Sequence, residues 1–177
     1  MIIRNYSDSD FSGVVKVIRA VQVLGCWPEV FPGGWNEERI KKEFAPLKRA
    51  GDSLFLVAEA SEGVVGLIAG QNLRQFIDDD VPHLIWGFES RRLSDAYYQR
   101  DIIVSPQFQR SGIGLRLFNA MKKFALERGF ESLVTRTPPQ NVEGISFFKK
   151  MGYTELFRDN NPERVYFSRE LKPEEER

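Results

Sequence analysis

Between Ile102 and Leu115 the chain reads Ile-Ile-Val-Ser-Pro-Gln-Phe-Gln-Arg-Ser-Gly-Ile-Gly-Leu. Ile102, Ile103 and Val104 favour a strand, and Pro106 ends it. Leu117, Phe118, Met121, Phe124 and Ala125 then recur at helical spacing. A strand must therefore run into a helix through a short turn, and Gly112 and Gly114 stand at the first turn of that helix. The first N–H groups of a helix have no intrahelical partner and carry partial positive charge. Glycine leaves room for an anion to reach them, because no Cβ is in the way. Strand, turn and glycine-rich helix start together predict a phosphate cradle. It is not a dinucleotide turn, since Arg110 stands where the first glycine of GxGxxG is needed and the third is missing. It is not a P-loop, since the chain has no Gly-Lys-Ser or Gly-Lys-Thr.

The rest of the chain supplies the layers around this unit. Ile2 to Tyr6 is a strand candidate. Asp8, Ser9 and Asp10 offer caps to a helix whose apolar positions are Val14, Val17, Ile18, Val21 and Leu24. Residues 27–35 are a loop by their Pro and Gly content. Asn36 can cap a second helix, with Glu37 and Glu38 in its first turn and Ile40, Phe44 and Leu47 on its apolar face. Ser53 to Ala60 and Val64 to Gly70 form a hairpin about Ser61-Glu62-Gly63. Residues 72–96 show no sustained period and read as an irregular insertion, of a length that is usually functional. Tyr97 to Val104 is a strand, and Gly129 stops the helix after it. Glu131 to Arg136 is a strand, and a helix opens at Asn141 and closes at Gly152. Tyr153 to Phe157 and Arg164 to Leu171 are strands joined by a turn at Asp159-Asn160-Asn161-Pro162. The pattern predicts one α/β domain over residues 1–171, with helices on both faces of a mixed sheet, and a charged tail at 172–177.

Composition narrows the function. Lys plus Arg and Asp plus Glu are 25 each, so there is no basic excess to drive nucleic-acid or anionic-membrane binding. Cys26 and His83 are the only residues of their kinds, so neither a disulfide nor a structural metal site is expected. Without a signal-like start or a run of ~20 apolar residues, a cytoplasmic protein is expected.

The string Val104, Pro106, Gln109, Arg110, Gly112 and Gly114 resembles the cofactor loop of the GNAT superfamily of N-acetyltransferases. A second segment, Asn141 to Tyr153, resembles that superfamily's next motif: Asn opens a helix, Phe147 and Phe148 sit mid-helix, and Gly152 precedes an aromatic. The two are one helix and one strand apart, as in the superfamily, and the element order matches from Ile2 to Leu171. The resemblance implies a mostly antiparallel sheet of six to seven strands, splayed into a V-shaped cofactor cleft. It implies acetyl-coenzyme A as acyl donor, no metal, and a small-molecule or peptide amine as acceptor. A homodimer is plausible for the family. Gln109, Arg110, Ser111, Gly112, Ile113, Gly114 and Leu115 would hold the pyrophosphate, and Ile102, Ile103 and Val104 the pantetheine. Asn141 and Phe148 would complete the cofactor contacts. The Val104 N–H would polarise the thioester oxygen.

The acid and base stay open. Phe148 stands where many members carry a tyrosine acid, and phenylalanine has no proton to give. A non-catalytic acyl-coenzyme A-binding domain is therefore the alternative reading. Asp101 is a candidate base, although strand alternation puts it with Ile103 rather than with Ile102 and Val104. Tyr98 shares the parity of Val104; Glu29 and His83 are further candidates. Arg116, Lys122 and Lys123 could reach a ribose phosphate. The acceptor is expected among aromatics: Trp27, Phe31 and Trp35 on one side, Phe76, Trp86 and Phe88 on the other. The acidic run Asp78-Asp79-Asp80 would suit a cationic amine.

Overall fold

The computed structural model describes residues 1–23, 36–44, 47, 51–80, 87–88, 95–160 and 163–172. Its strands are β1 (Ile2–Asn5), β2 (Leu54–Ala60), β3 (Gly63–Asn72), β4 (Ala96–Val104), β5 (Ser132–Thr137), β6 (Thr154–Asn160) and β7 (Glu163–Glu170). The helices are α1 (Phe11–Val23), α2 (Glu37–Phe44), α3 (Leu73–Asp80), α4 (Ile113–Glu127) and α5 (Val142–Lys150). The seven-stranded sheet has the order β1-β2-β3-β4-β5-β7-β6. Pairing is antiparallel for β1–β2, β2–β3, β5–β7 and β6–β7, and parallel for β4–β5. The chain divides into two compact units, Met1–Gly70 with Asp101–Met121, and Gln71–Arg100 with Lys122–Arg177.

In the first unit the hairpin β2–β3 turns at Gly63, whose φ of +99° only glycine adopts freely. Val14, Val17, Ile18 and Val21 of α1 and Ile40 and Phe44 of α2 pack on Phe55, Val57, Leu67, Ala69 and Ile103. The periodicity of both helices is thus spent on one sheet face. Phe55 stacks on Tyr6 at 4.4 Å and on Phe44 at 5.0 Å between centroids. Gly66, next to Leu67 on β3, points to the other face. There a Cβ would stand 3.3 Å from Leu117 Cδ1 and 3.4 Å from Ile113 Cγ2 of α4. Helices therefore cover both faces of this unit, as expected.

The cap of α1 differs from the expected one. Ser7 is the cap of a 3₁₀ turn at Asp8–Asp10 that leads into the helix, and its N–H donates to Asp10 Oδ2 at 2.8 Å. Asp10 is only 7% exposed and takes both ends of the Arg4 guanidinium, each at 2.7 Å. Arg4 Nε donates to Glu59 Oε2, also at 2.7 Å. The trio ties β1, the turn and β2 together.

The second unit corrects the reading of residues 72–96 as irregular. β3 continues to Asn72, α3 follows over Leu73–Asp80, and β4 starts at Ala96. Leu73, Phe76 and Ile77 are buried at i, i+3 and i+4 spacing. The Asn72 side chain accepts from Arg74 N at 2.8 Å and opens the helix. The helix is short and ends in three aspartates, so its period is too brief to stand out. Phe76 stacks on Tyr98 at 3.7 Å, and the two share a core with Phe88, Val134 and Tyr166. Tyr97, pointing the other way, meets Phe124 and Phe130. β6 is longer than expected and begins after Tyr153.

The Arg4–Asp10 pair makes stability depend on acid. Hydrogen bonds from Arg4 hold the Asp10 pKa down at about 2, against 3.8 ordinarily. The unfolded chain then takes up the proton first, so the contribution is full above pH ~4 and is lost as pH falls towards 2. We expect Asp10→Asn to remove on the order of 2 kcal/mol at neutral pH and to flatten the loss of stability between pH 4 and pH 2. Urea unfolding at a series of pH values checks this; parallel acid limbs in the two proteins would refute it.

Candidate active site

β4 ends with a strict alternation: Asp101 and Ile103 are buried, Ile102 and Val104 half-exposed. The Ser105 N–H donates to Val65 O of β3 at 2.9 Å. Successive N–H groups of a strand point to opposite edges. The Val104 N–H, one residue earlier, is therefore directed to the edge away from β3, and Ile102 shares that edge.

After β4 a 3₁₀ turn at Pro106–Phe108 closes with Phe108 N donating to Ser105 O at 2.8 Å. The exposed Gln109 reaches back, its Nε2 donating to Val104 O at 3.2 Å. Arg110 has φ 60° and Gly112 has φ 84°, both left-handed. For Arg110 this conformation is uncommon and costs energy. The two reversals bring the chain onto the axis of α4, where Arg116 N donates to Gly112 O at 3.0 Å. That bond closes the first helical turn, and the N–H groups of Ile113, Gly114 and Leu115 lie ahead of it without an intrahelical acceptor. The first turn of α4 holds no acidic residue, so its positive pole is not neutralised from within. The Ser111 hydroxyl turns away from these groups and donates to Phe108 O. A Cβ built on Gly112 meets nothing within 4 Å, so the space in front of the helix is open. A diphosphate would fit this arrangement: a row of backbone donors at the positive end of a helix, entered past the exposed Ser111 and Gly112.

The other sequence-predicted residues are placed as follows. Asn141 caps α5, accepting from Gly144 N at 3.0 Å while its Nδ2 donates to Thr137 Oγ1 at 2.9 Å. Phe148 is 6% exposed and packs against Tyr153 and Phe167. Tyr98 is buried against Phe76, and Asp101 is 9% exposed on the face of Ile103. Tyr153 is buried with its hydroxyl donating to Gln99 Oε1 at 3.0 Å, and burial pushes its pKa up. Phe76 and Phe88 share the second unit's core. Trp27, Glu29, Phe31, Trp35, His83 and Trp86 lie outside the described residues. Among the described residues no group of three or more His, Cys, Asp or Glu could hold a metal ion. No helix among them is long and apolar enough to cross a membrane.

The β4–β5 ladder runs from Ala96↔Ser132 to Gln99↔Thr135, while β5 continues to Thr137 along β7. At the last rung the buried Thr135 hydroxyl donates to the Gln99 carbonyl at 3.0 Å. Sequence reasoning did not single out Arg136 on β5 or the buried Arg164 on β7. Neither stands out in sequence, because β5 (SLVTRT) and β7 (ERVYFSRE) both mix polar and apolar residues.

An Acetyltransferase (GNAT) family model matches residues 21–153. The chain belongs to this family and is an enzyme of the acyltransferase class. Its fold is similar to that of PaiA N-acetyltransferase from Thermoplasma acidophilum in complex with coenzyme A, with TM-score 0.72, 16% identity, and 96% of this chain and 98% of that one covered. Ard1 from Thermoplasma volcanium is similar with TM-score 0.67 and 18% identity over 97% of each chain. An acetyltransferase of the GNAT family from Staphylococcus aureus Mu50 has TM-score 0.70 and 15% identity, with 97% of this chain and 99% of that one covered.

The cradle depends on how closely α4 approaches the sheet. A Cβ on Gly66 would come to 3.1 Å from Ile103 O, a backbone atom, as well as pressing on Ile113 and Leu117. We expect Gly66→Val to destabilise by about 1–3 kcal/mol through overpacking, measured as a lower urea midpoint. An unchanged midpoint would mean that α4 is not seated by this contact.

Proposed function

We propose that this protein transfers an acetyl group from acetyl-coenzyme A to a primary amine by direct attack on the thioester, with residues 1–171 acting as one catalytic domain. The observation that carries the reading is the row of unpartnered N–H groups at the start of α4, approached through left-handed Arg110 and Gly112. Ile113, Gly114 and Leu115 would bind the diphosphate through backbone N–H groups, with Gln109, Arg110 and Ser111 shaping the approach. Ile102 to Val104 would pair with the pantetheine along the edge facing away from β3. When bound, the thioester supplies an activated acyl group. The Val104 N–H would donate to its carbonyl oxygen, fixed in advance by the strand and therefore at little reorganisation cost. Holding amine and acyl group together supplies most of the remaining acceleration. The buried Phe148 has no proton to donate, so the thiolate would leave without a side-chain acid from that position; a thiolate of moderate pKa is a competent leaving group. No proton transfer is assigned to Asp101, which lies on the buried face of Ile103.

The test is acetyl-coenzyme A turnover with a panel of amines, paired with calorimetric titration of the donor. The Gly112 φ of 84° is one that a β-branched side chain cannot adopt without strain. Any added side chain would also enter the open space before the helix. We expect Gly112→Val to weaken donor binding at least tenfold, about 1.4 kcal/mol, with the fold retained by circular dichroism. Unchanged affinity would remove the cradle from the reading. Donor binding without turnover on any amine would instead favour a non-catalytic acyl-coenzyme A-binding domain.

A further inference from the structure

The first unit holds a second concave place, apart from the start of α4. A cavity of about 430 Å³ opens between the turn after β1, the first turn of α1, the helix α2 and the start of β2. Its lining grades from buried to exposed. Phe44 and Phe55 are buried, Tyr6 and Phe11 are half-buried, and Asp8 and Lys41 are exposed. Aromatic rings therefore lie deep and two opposite charges lie at the mouth. Three of the rings form a row: Tyr6 is stacked on Phe55 at 4.4 Å between centroids, and Phe44 on Phe55 at 5.0 Å. Close-packed interiors leave few voids larger than a water, whereas this one has the size and the mostly apolar lining of a small-molecule site.

The two charges at the mouth are held in place. Asp8 sits in the 3₁₀ turn Asp8–Asp10, which Ser7 caps and which the Arg4–Asp10 pair fastens to β1. Lys41 stands in the last turn of α2, with its Nζ 5.1 Å from the centroid of the Phe11 ring, a cation–π contact that keeps it over the opening. Lys41 has three N–H donors for a carboxylate. A carboxylate offers about four acceptor sites, so Asp8 can take an ammonium N–H beside the contacts it already makes. An aromatic interior with one anion and one cation at the mouth is complementary to a small zwitterion carrying an apolar side chain. Phe55 pairs with Ala69 on β3, whereas Val65, four residues back, accepts from the N–H of Ser105, next to Val104. That separation is on the order of 13 Å along the strand, so a ligand here does not take the place proposed for the thioester.

We infer that this cavity is a binding site for a free α-amino acid with an aromatic or large aliphatic side chain. The side chain enters among Tyr6, Phe11, Phe44 and Phe55, Lys41 holds the carboxylate, and Asp8 holds the ammonium. The site recognises and does not react, so the inference goes beyond the acyl-transfer reading and does not depend on it. A ligand that joins α1, α2 and β2 also stabilises the folded chain.

Calorimetric titration of L-phenylalanine and L-leucine into the full chain tests it. Three relatives of phenylalanine each lack one feature: phenethylamine the carboxylate, 3-phenylpropanoate the ammonium, and glycine the apolar side chain. We expect one-to-one binding of L-phenylalanine, with each of the three bound at least tenfold more weakly. Lys41→Gln should erase the preference over phenethylamine, and Asp8→Asn the preference over 3-phenylpropanoate, with the circular dichroism spectrum unchanged because both side chains are at the surface. L-Phenylalanine should also raise the Tm of the wild type, and raise that of Lys41→Gln less. Absence of binding by both amino acids in the millimolar range would overturn the site. So would equal affinities for L-phenylalanine and its three relatives, or binding that neither substitution alters, since the amino acid would then sit elsewhere on the chain. If Asp8→Asn loosens its turn and melts early, Lys41→Gln with the phenethylamine comparison decides alone.

Discussion

Helix α4 begins with N–H groups that the helix itself cannot satisfy, and the surrounding chain is arranged to leave them unsatisfied. Most helices quench this end with a Ser, Thr, Asp or Asn side chain or with acids in the first turn. Here the cap position is Gly112, which has no side chain, and the preceding Ser111 spends its hydroxyl on the Phe108 carbonyl. No acid follows in the first turn. A side-chain cap is typically worth ~1 kcal/mol, so leaving it out has a cost in stability. Arg110 adds more cost by sitting at φ 60°. Strain and a helix start without a side-chain cap coincide here, in a protein that caps α3 and α5 with asparagine, and both are what the proposed diphosphate site would require.

The same logic fixes which backbone groups of β4 are available. The bond from Ser105 N to Val65 O commits one edge of the strand to β3. Burial of Ile103 among the residues of α1 and α2 then sets the rotation of the strand about its axis. With edge and face both determined, the Val104 N–H has only one direction left. The side chains that fix it, Ile103 and Val104, are apolar and chemically inert. The reactive geometry proposed for this enzyme is therefore a property of core packing, which is why catalysis of this kind leaves so faint a side-chain signature.

How much of this was legible in the sequence follows from which interactions are local. The strand, turn and helix around the proposed cradle were legible because strand, proline, paired glycines and periodic helix are consecutive. The cap at Asn36 was legible for the same reason and is observed, with Arg39 N donating to its side chain at 2.9 Å. α3 was not legible, since eight residues give barely two turns and its three buried positions precede an acidic run. Arg136 and Arg164 were not legible as a pair, because what joins them is the register of β5 with β7 across a long separation in sequence. Phe148 could be read as either a cofactor contact or a core residue. Its neighbours Tyr153 and Phe167 place it within its unit's core, without deciding what else it touches. Trp27, Phe31 and Trp86 lie outside the described residues.

Two arginines, the partly exposed Arg4 and the buried Arg164, differ in how the fold meets their charge. Arg4 binds both oxygens of Asp10 and one of Glu59, and its proton is held more tightly as a result. Its charge is matched within the fold, and the same contacts hold β1 to β2. Arg164 is more deeply buried, and burial and Arg136 both work against its charge. Nothing in the register of β6 and β7 demands an arginine there; an apolar residue beside Val165 would suit the strand better. Arg4 is explained by the carboxylates it binds, whereas among the described residues the Arg164 side chain donates a hydrogen bond only to the Glu163 carbonyl.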